Sequence, residues 1–305
     1  MSEIHLAHCE NLEAPRKKWC NKVKNSTPHF TVPKQHTSRL AFIGELVSKC
    51  DKVNVVKSDV ALYMRQTMAR SKAFYPDRER AIRALTKVFC EHVNVVTHQV
   101  SITLVQAAKL TGLDTVSDAE RLKAKSNPDY EPKVNISRAS RAVQSMIELG
   151  WIVAPKEWQK WNKEAGQWLD KYFEVTDLFF SALGITQERV IRQREARLKY
   201  LKKKGFAFGV SAEELGRMTL SEIKTRARMA HYQRALERMR SKRVTSRVKR
   251  SMKDKTNEQH RELAQKSVIY KLGSDFAAVT LPLFKDMVNI ELAMLRKIAG
   301  IPKPT

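Results

Sequence analysis

The sequence predicts a mainly α chain with a small β component, an α+β protein in which helices dominate. Three observations carry this expectation. Apolar residues recur at three- and four-residue spacing in successive segments from Thr37 onward. β-branched or aromatic strand composition is confined to short stretches near 93–102, 151–153 and 172–180. From residue 186 the text is helical in composition and crowded with Lys and Arg.

Taken in order, residues 1–36 are polar and carry Pro15, Pro28 and Pro33, which predicts an arm or loose lead-in. "SRLAFIGELVSKC" places Leu40, Ile43, Leu46 and Val47 at helical spacing. "SDVALYMRQTMARS" opens on a capping Ser58 and reads as a second helix. "YPDRERAIRALTKVFCEHV" starts with Pro76 and Asp77, both suited to a first turn, and sets Ile82, Leu85 and Phe89 on one face. "VNVVTHQVSI" predicts a strand around 93–102, and "TLVQAAKLTGL" a short helix that breaks at Gly112. The stretch 114–134 is charged, holds two prolines and has no apolar rhythm, so it reads as an inserted loop. "NISRASRAVQSMIELG" follows as a helix, then "WIV" and, beyond a Trp- and Lys-bearing segment, "YFEVTDLFF" as strands.

The organisation predicted is an arm at 1–36, a first domain at 37–184, and a basic helical region at 185–305. Within the last, "SAEELGRMTLSEIKTRARMAHYQR" reads helix, break, helix, a possible second helix-turn-helix near 211–240. The tail from Glu262 to Ile298 regains apolar residues, among them Leu281, Leu283, Phe284, Val288, Ile290, Leu292 and Leu295.

The charge balance narrows the function classes. The chain has 57 Lys+Arg against 32 Asp+Glu, a formal net charge of +25. Such a field draws polyanions and says little about fold. Nucleic acid is the expected partner. No apolar run has the roughly 20 residues that span a bilayer, and the first 20 residues lack the apolar core of a secretory signal, so no membrane role is expected. Cys9, Cys20, Cys50 and Cys90 form no C-x-x-C, which suits free thiols in a reducing cytoplasm. His5, His8, Cys9 and Cys20 match no usual structural-zinc spacing, so no metal and no cofactor are expected.

The helix 137–149 is the most informative element. On a helical wheel at about 100° per residue, Ala139, Ala142, Val143, Met146, Ile147 and Leu149 gather on one side. Ser137, Arg141, Gln144 and Glu148 fall opposite, flanked by Arg138, Ser140 and Ser145. Asn135 or Ser137 can cap the start. In a helix-turn-helix the second helix enters the major groove with its N-terminal residues at the base edges. Arg suits guanine and Gln suits adenine, each through paired hydrogen bonds. The candidate base-reading residues are therefore Ser137, Arg138, Ser140, Arg141, Gln144 and Ser145. The Ala107-Ala108 pair lets the helix at 103–111 pack closely as the supporting helix.

Strand, helix, turn, helix, Gly150, strand, loop, strand is the order of a winged helix. The wing would span 154–171 and carry Lys156, Lys160 and Lys163, interleaved with Trp158, Trp161 and Trp168, as phosphate contacts. The tryptophans read as packing residues rather than base-stacking platforms. Arg192, Arg194, Arg197, Lys202, Lys203 and Lys204 supply a second set of backbone contacts from the basic region, where cations outnumber anions too far for a salt-bridged neutral helix.

"AIRALTKVFCEHVNVVTHQVSITLVQAAKLTGL", "ISRASRAVQSMIELGWI", "FEVTDLFFSALGI" and "RQREARLKYLKKKG", in this order, resemble the RepA replication initiators of IncFII-related theta-replicating plasmids of enterobacteria. The resemblance covers roughly residues 30 to 255 and rests on segment order, since no catalytic signature marks that family. It implies a protein that binds its plasmid's origin as double-stranded DNA and serves replication and copy control. It also implies recruitment of the host replication initiator and the replicative helicase and polymerase.

No enzymatic signature is complete in this sequence. No histidine sits two residues from another, as a nicking enzyme's metal pair requires, and no G-x-x-x-x-G-K-[ST] occurs. "LTGLD" at 110–114 and "HYQR" at 231–234 are similar to two boxes of the tyrosine recombinases, with Tyr270 as the nucleophile. Asp114, however, stands where that chemistry needs a phosphate-clamping Arg, and an anion there repels the phosphate. No catalytic residue is assigned. The alternative within DNA binding is a winged-helix transcription regulator. A long basic helical region with no evident ligand pocket favours the initiator.

Overall fold

Helix α3 (Pro76–His92) organises the first half of the molecule: Ile82, Leu85, Val88, Phe89 and Cys90 all lie within it at zero exposure. The computed structural model describes residues 25–34, 39–67, 72–127, 130, 132–164, 166–204 and 210–302. Among these, the chain divides into two compact units. The first takes in the described residues of Met1–His92, with Leu104–Leu149 and Ala182–Gly184. The second takes in Val93–Thr103, Gly150–Ser181 and the described residues of Ile185–Thr305.

In the first unit, α1 (Ala41–Lys52) buries Phe42, Ile43 and Leu46 and packs on α3. Helix α2 (Asp59–Thr67) begins after Ser58, whose hydroxyl accepts from the Ala61 amide. Cys50 of α1 and Cys90 of α3 are free thiols with their sulfurs 3.5 Å apart; burial raises the Cys90 pKa well above the usual thiol value. Helix α4 (Leu104–Thr111) packs on α3 through Ala107 and Ala108, both fully buried, as their small size predicted. It ends at Gly112, whose φ of +66° lies in the left-handed region. A Cβ there would also press on the Asn25 side-chain amide, which donates to the Gly112 carbonyl.

The expected loop at 114–134 holds regular structure. Strand β1 (Thr115–Val116) pairs antiparallel with β2 (Val134–Asn135), and between them runs α5 (Asp118–Ser126). Helix α5 buries no residue, which is why it shows no apolar rhythm. Its start was written in the sequence nonetheless: Ser117 accepts from the Glu120 amide, and Asp118 and Glu120 occupy the first turn. Helix α6 (Ser137–Glu148) closes the unit against α3 and α4.

The lead-in also departs from expectation. Phe30 is buried, and Asn25 donates to the Gly112 carbonyl at 3.2 Å, so the described part of the arm is docked. His5, His8, Cys9 and Cys20 lie outside the described residues.

In the second unit the expected strand at 93–102 is a tight turn. The Asn94 side chain accepts from the Val96 and Thr97 amides, and isolated bridges Val93–Val100 and Gln99–Glu174 flank the turn. Strand β3 (Ile152–Val153) pairs antiparallel with β6 (Glu174–Val175), with Ile152 opposite Val175. Between them, β4 (Trp161–Asn162) and β5 (Gln167–Trp168) form a hairpin in the expected wing segment. Of the predicted strand 172–180 only Glu174–Val175 is strand, because α7 (Asp177–Ala182) takes over from Asp177. Trp151, Tyr172, Phe173, Phe179 and Phe180 fill this core.

The basic region is helical as predicted. Helices α8 (Gln187–Lys204), α9 (Ala212–Arg217) and α10 (Leu220–Met252) gather Leu198, Leu201, Leu215, Met218, Leu220 and Ile223 around Val96 and Val210. Capping boxes at Ser211/Glu214 and Thr219/Glu222 set the break between α9 and α10. The tail forms a helical pair, α11 (Asn257–Leu272) and α12 (Leu281–Ala299), around Ala264, Val268 and Val288. Of its predicted apolar set, Leu281, Leu283 and Ile290 are exposed instead. Among the described residues no helix is long and apolar enough to cross a membrane.

Candidate nucleic-acid interface

Helix α6 is fixed from its apolar side. Ala139, Ala142, Val143 and Met146 are buried at 3 % exposure or less. At its start the Asn135 side chain accepts from the Ser137 amide at 2.8 Å and from the Ser137 hydroxyl at 2.6 Å. Beyond its end Gly150 takes φ of +69°, which turns the chain out of the helix.

The polar side divides into free and committed residues. Ser137, Ser140, Arg141 and Gln144 are exposed. The Arg141 and Gln144 side chains make no hydrogen bond among the described residues, so both heads remain available. Arg138 is different: half-buried, it donates to the Asn25 carbonyl at 2.9 Å, and burial lowers its pKa. Ser145 is 2 % exposed; its hydroxyl donates to the Arg141 carbonyl and accepts from Arg78. The wheel put these two on the flanks, and it is there that α3 and the arm claim them. Asn25, which joins the turn after α4 to the first turn of α6, carried no signal in the sequence.

Ser137, Ser140 and Arg141 line an open groove of about 610 Å³, completed by Ser117, Glu120 and Lys133. Among the described residues Glu120 is the only carboxylate lining it, and it is already engaged. The Lys133 amide at 2.9 Å and the Tyr130 hydroxyl at 2.7 Å hold its pKa below the usual carboxylate value. The inserted segment thus contributes a wall of the groove, with its anion internally satisfied.

In the second unit Lys156, Lys160 and Lys163 are exposed on the hairpin segment and make no ion pair among the described residues. Trp158 packs under Arg228, whose guanidinium lies 4.5 Å from the ring centre, as a packing role predicts. Trp161 and Trp168 do not pack: they are 49 % and 60 % exposed. The hairpin segment is braced along α10. Tyr232 donates to the Trp158 carbonyl at 2.5 Å, Arg238 pairs with Asp170 at 2.7 Å, and Arg243 donates to the Glu164 carbonyl at 2.9 Å.

The basic-region cations are likewise divided. Arg192, Lys202 and Lys203 are exposed, with Lys202 reaching the Gly216 carbonyl at 3.4 Å. Arg197 lies against the ring of Tyr200. Arg194 is committed to the interior, donating to His98 Nε2 at 3.0 Å. The side chain of Lys204 lies outside the described residues. A set the sequence reading passed over is the exposed stripe Arg226, Gln233, Arg240 and Arg247 on α10. Its seven-residue spacing, visible in the text, keeps it on one helix face.

The recombinase-like boxes are spent on structure. His231 is buried; its Nε2 donates to the Asp170 carbonyl at 3.0 Å and its Nδ1 accepts from Gln99 at 3.2 Å, so the ring is neutral. Arg234 donates to the Ala230 carbonyl of its own helix.

The IncFII RepA protein family model matches residues 18–300. The chain belongs to the IncFII RepA protein family. Among similar proteins is a probable replication-associated protein repA1 of Buchnera aphidicola subsp. Cinara cedri, 26% identical over 306 residues, 94% of this chain and 98% of the relative. The counterpart from Buchnera aphidicola subsp. Acyrthosiphon pisum is 22% identical, covering 91% of this chain and 95% of its own length. A replication initiation protein of Escherichia coli is 23% identical over 80% of this chain and 72% of its own. No solved structure matches. Membership of this RepA family supports a role in initiating plasmid replication and identifies no enzymatic activity.

Proposed function

We propose that the protein initiates plasmid replication by binding origin duplex DNA through α6 and by bringing host proteins to that site. The observation that carries this reading is the exposed, uncommitted face Ser137, Ser140, Arg141 and Gln144 at the start of a helix whose other side is fully packed. We read α4 and α6 as a helix-turn-helix whose turn has been enlarged by the β1–α5–β2 segment, and the 154–171 segment as the wing. Lys156, Lys160, Lys163, Arg192, Lys202 and Lys203 are the backbone contacts in this reading, with the α10 stripe added to them. Arg138 and Ser145 position α6 and do not read bases. The host replication initiator, helicase and polymerase are the recruited partners, and the setting is the bacterial cytoplasm.

A genetic trial tests the reading. The gene is placed beside a plasmid origin stripped of its own initiator, in a host that cannot otherwise maintain that plasmid. Stable inheritance supports initiation. Loss of the plasmid, with silencing of a promoter placed next to the bound site, gives the protein to transcription regulation instead.

The backbone role of α10 has its own readout. Log affinity for duplex DNA falls with log salt by roughly 0.9 per phosphate neutralised. Changing Arg226, Arg240 and Arg247 to Gln is expected to flatten that slope by about 0.9 for each cation that meets a phosphate. An unchanged slope removes the stripe from the interface.

A further inference from the structure

Trp161 and Trp168 face each other across the β4–β5 register, their ring centres 5.3 Å apart and their planes at 72°. Both stand largely in solvent, although Trp151, just before β3, is completely buried and Arg228 covers Trp158. Large aromatic rings dominate interface energetics, and two neighbouring ones left outside a core mark a surface that something apolar meets. The chemistry around the pair selects the occupant. Lys160 and Lys163 flank Trp161, and Arg243 reaches the hairpin from α10 to donate to the Glu164 carbonyl. The acidic side chains beside it are matched by cations of α10: Glu164 faces Arg240 at 4.0 Å and Asp170 pairs with Arg238 at 2.7 Å. An apolar protein surface would gain nothing from these cations. A ligand with flat apolar faces strung on an anionic backbone would use both features.

We infer that the Trp161–Trp168 hairpin is a binding site for unpaired nucleotides, with bases stacking on the two indoles and the backbone phosphates held by Lys160 and Lys163. Duplex DNA can use the lysines but leaves the indoles unused, because its base faces are already stacked on one another. Single strands offer those faces freely, and aromatic platforms beside cations are the general solution for holding them. The edge-to-face setting of the indoles leaves the two outer faces open to separate bases. Bracing on α10 by Tyr232 and Arg243 keeps the hairpin from folding its rings inward. The inference rests on the reading of the protein as a DNA binder; within the segment read as the wing, Lys160 and Lys163 serve either kind of backbone, and the two indoles add a preference for melted strands.

The test uses the full chain, a fluorescently labelled oligothymidylate of roughly 20 nucleotides, longer than one stacking site occupies, and a duplex of the same length. Changing both Trp161 and Trp168 to Ala is expected to weaken oligothymidylate binding by about tenfold or more, with duplex affinity changed less than about twofold. The double change to Phe keeps flat rings and is expected to retain most of the single-strand affinity. It also guards against an Ala variant that fails to fold. Oligothymidylate should quench indole fluorescence in the wild type and much less in the Phe variant. Unchanged single-strand affinity in the Ala variant overturns the inference, as does an equal loss on duplex and single strand. Unchanged strand binding with an altered sedimentation rate of the free protein assigns the rings to self-association. A wild-type protein that binds duplex but not oligothymidylate refutes this site alone; failure to bind either refutes the DNA-binding reading itself.

Discussion

Acidification from pH 6.5 toward 5 is expected to destabilise the second unit well before its carboxylates titrate. His98 sits at 3 % exposure with its ring against Phe180. Arg194 can only donate, so His98 Nε2 must accept and the imidazole must be neutral. Burial, reinforced by the nearby charges of Arg194 and Lys224, lowers its pKa from the ordinary 6.5 to about 3. His231 shifts in the same direction, mainly through burial. The sign follows from linkage. Below pH 6.5 the unfolded chain binds a proton that the folded chain refuses. Stability is therefore complete above about 6.5 and declines as pH falls toward 3, by about 1.4 kcal/mol per pH unit for His98 alone. Urea melts followed by circular dichroism at pH 7, 6 and 5 would record it. His98→Asn, which tolerates the φ of +60° found here and can still accept from Arg194, should flatten the dependence. A variant that tracks the wild type at all three pH values would show that His98 carries no part of it.

Removing Arg141 and Gln144 together is expected to abolish sequence preference while leaving general DNA binding nearly intact. Each exposed head can form a bidentate pair with one base, worth roughly 1–3 kcal/mol of discrimination. Two such pairs lost should weaken the preferred duplex by about 30-fold to about 20,000-fold, with random duplex nearly unaffected. The fold should survive, since among the described residues neither side chain has a partner to lose; the Arg141 carbonyl, which accepts from Arg78 and Ser145, is main chain. Competition titrations with the preferred and random duplexes distinguish the outcomes. Equal losses on both would make Arg141 a phosphate contact.

The sequence made the packed faces legible and was least informative where no residue is buried. The apolar periodicity of α1, α3 and α6 located these helices and their inward residues, because burial imposes the repeat. Helix α5 escaped that criterion: it lies on the surface, and only its Ser117–Glu120 cap announced it. Two β-rich stretches misled for a related reason. Val93–Val100 is bent by the Asn94 side chain, and Asp177 begins a helix within a run of aromatics chosen for the core. At the candidate interface, the wheel separated polar from apolar residues and could go no further. Committing Arg138 to Asn25 and Ser145 to Arg78 depends on neighbours more than 60 residues away. The exposure of Trp161 and Trp168 was equally hidden, since composition alone favours burial for tryptophan.

The central claim is that α6 meets base edges in a major groove, and a missing-contact experiment tests it most directly. A duplex selected by the wild-type protein is sparsely methylated at guanine N7, bound, and separated into free and complexed fractions. The wild type should be excluded by methylation at one or more discrete guanines. With Arg141→Ala, interference at a single guanine should vanish while the others persist, because only the contact made by that residue is gone. Interference that is identical in wild type and variant at every guanine would contradict the account and move the reading surface away from α6.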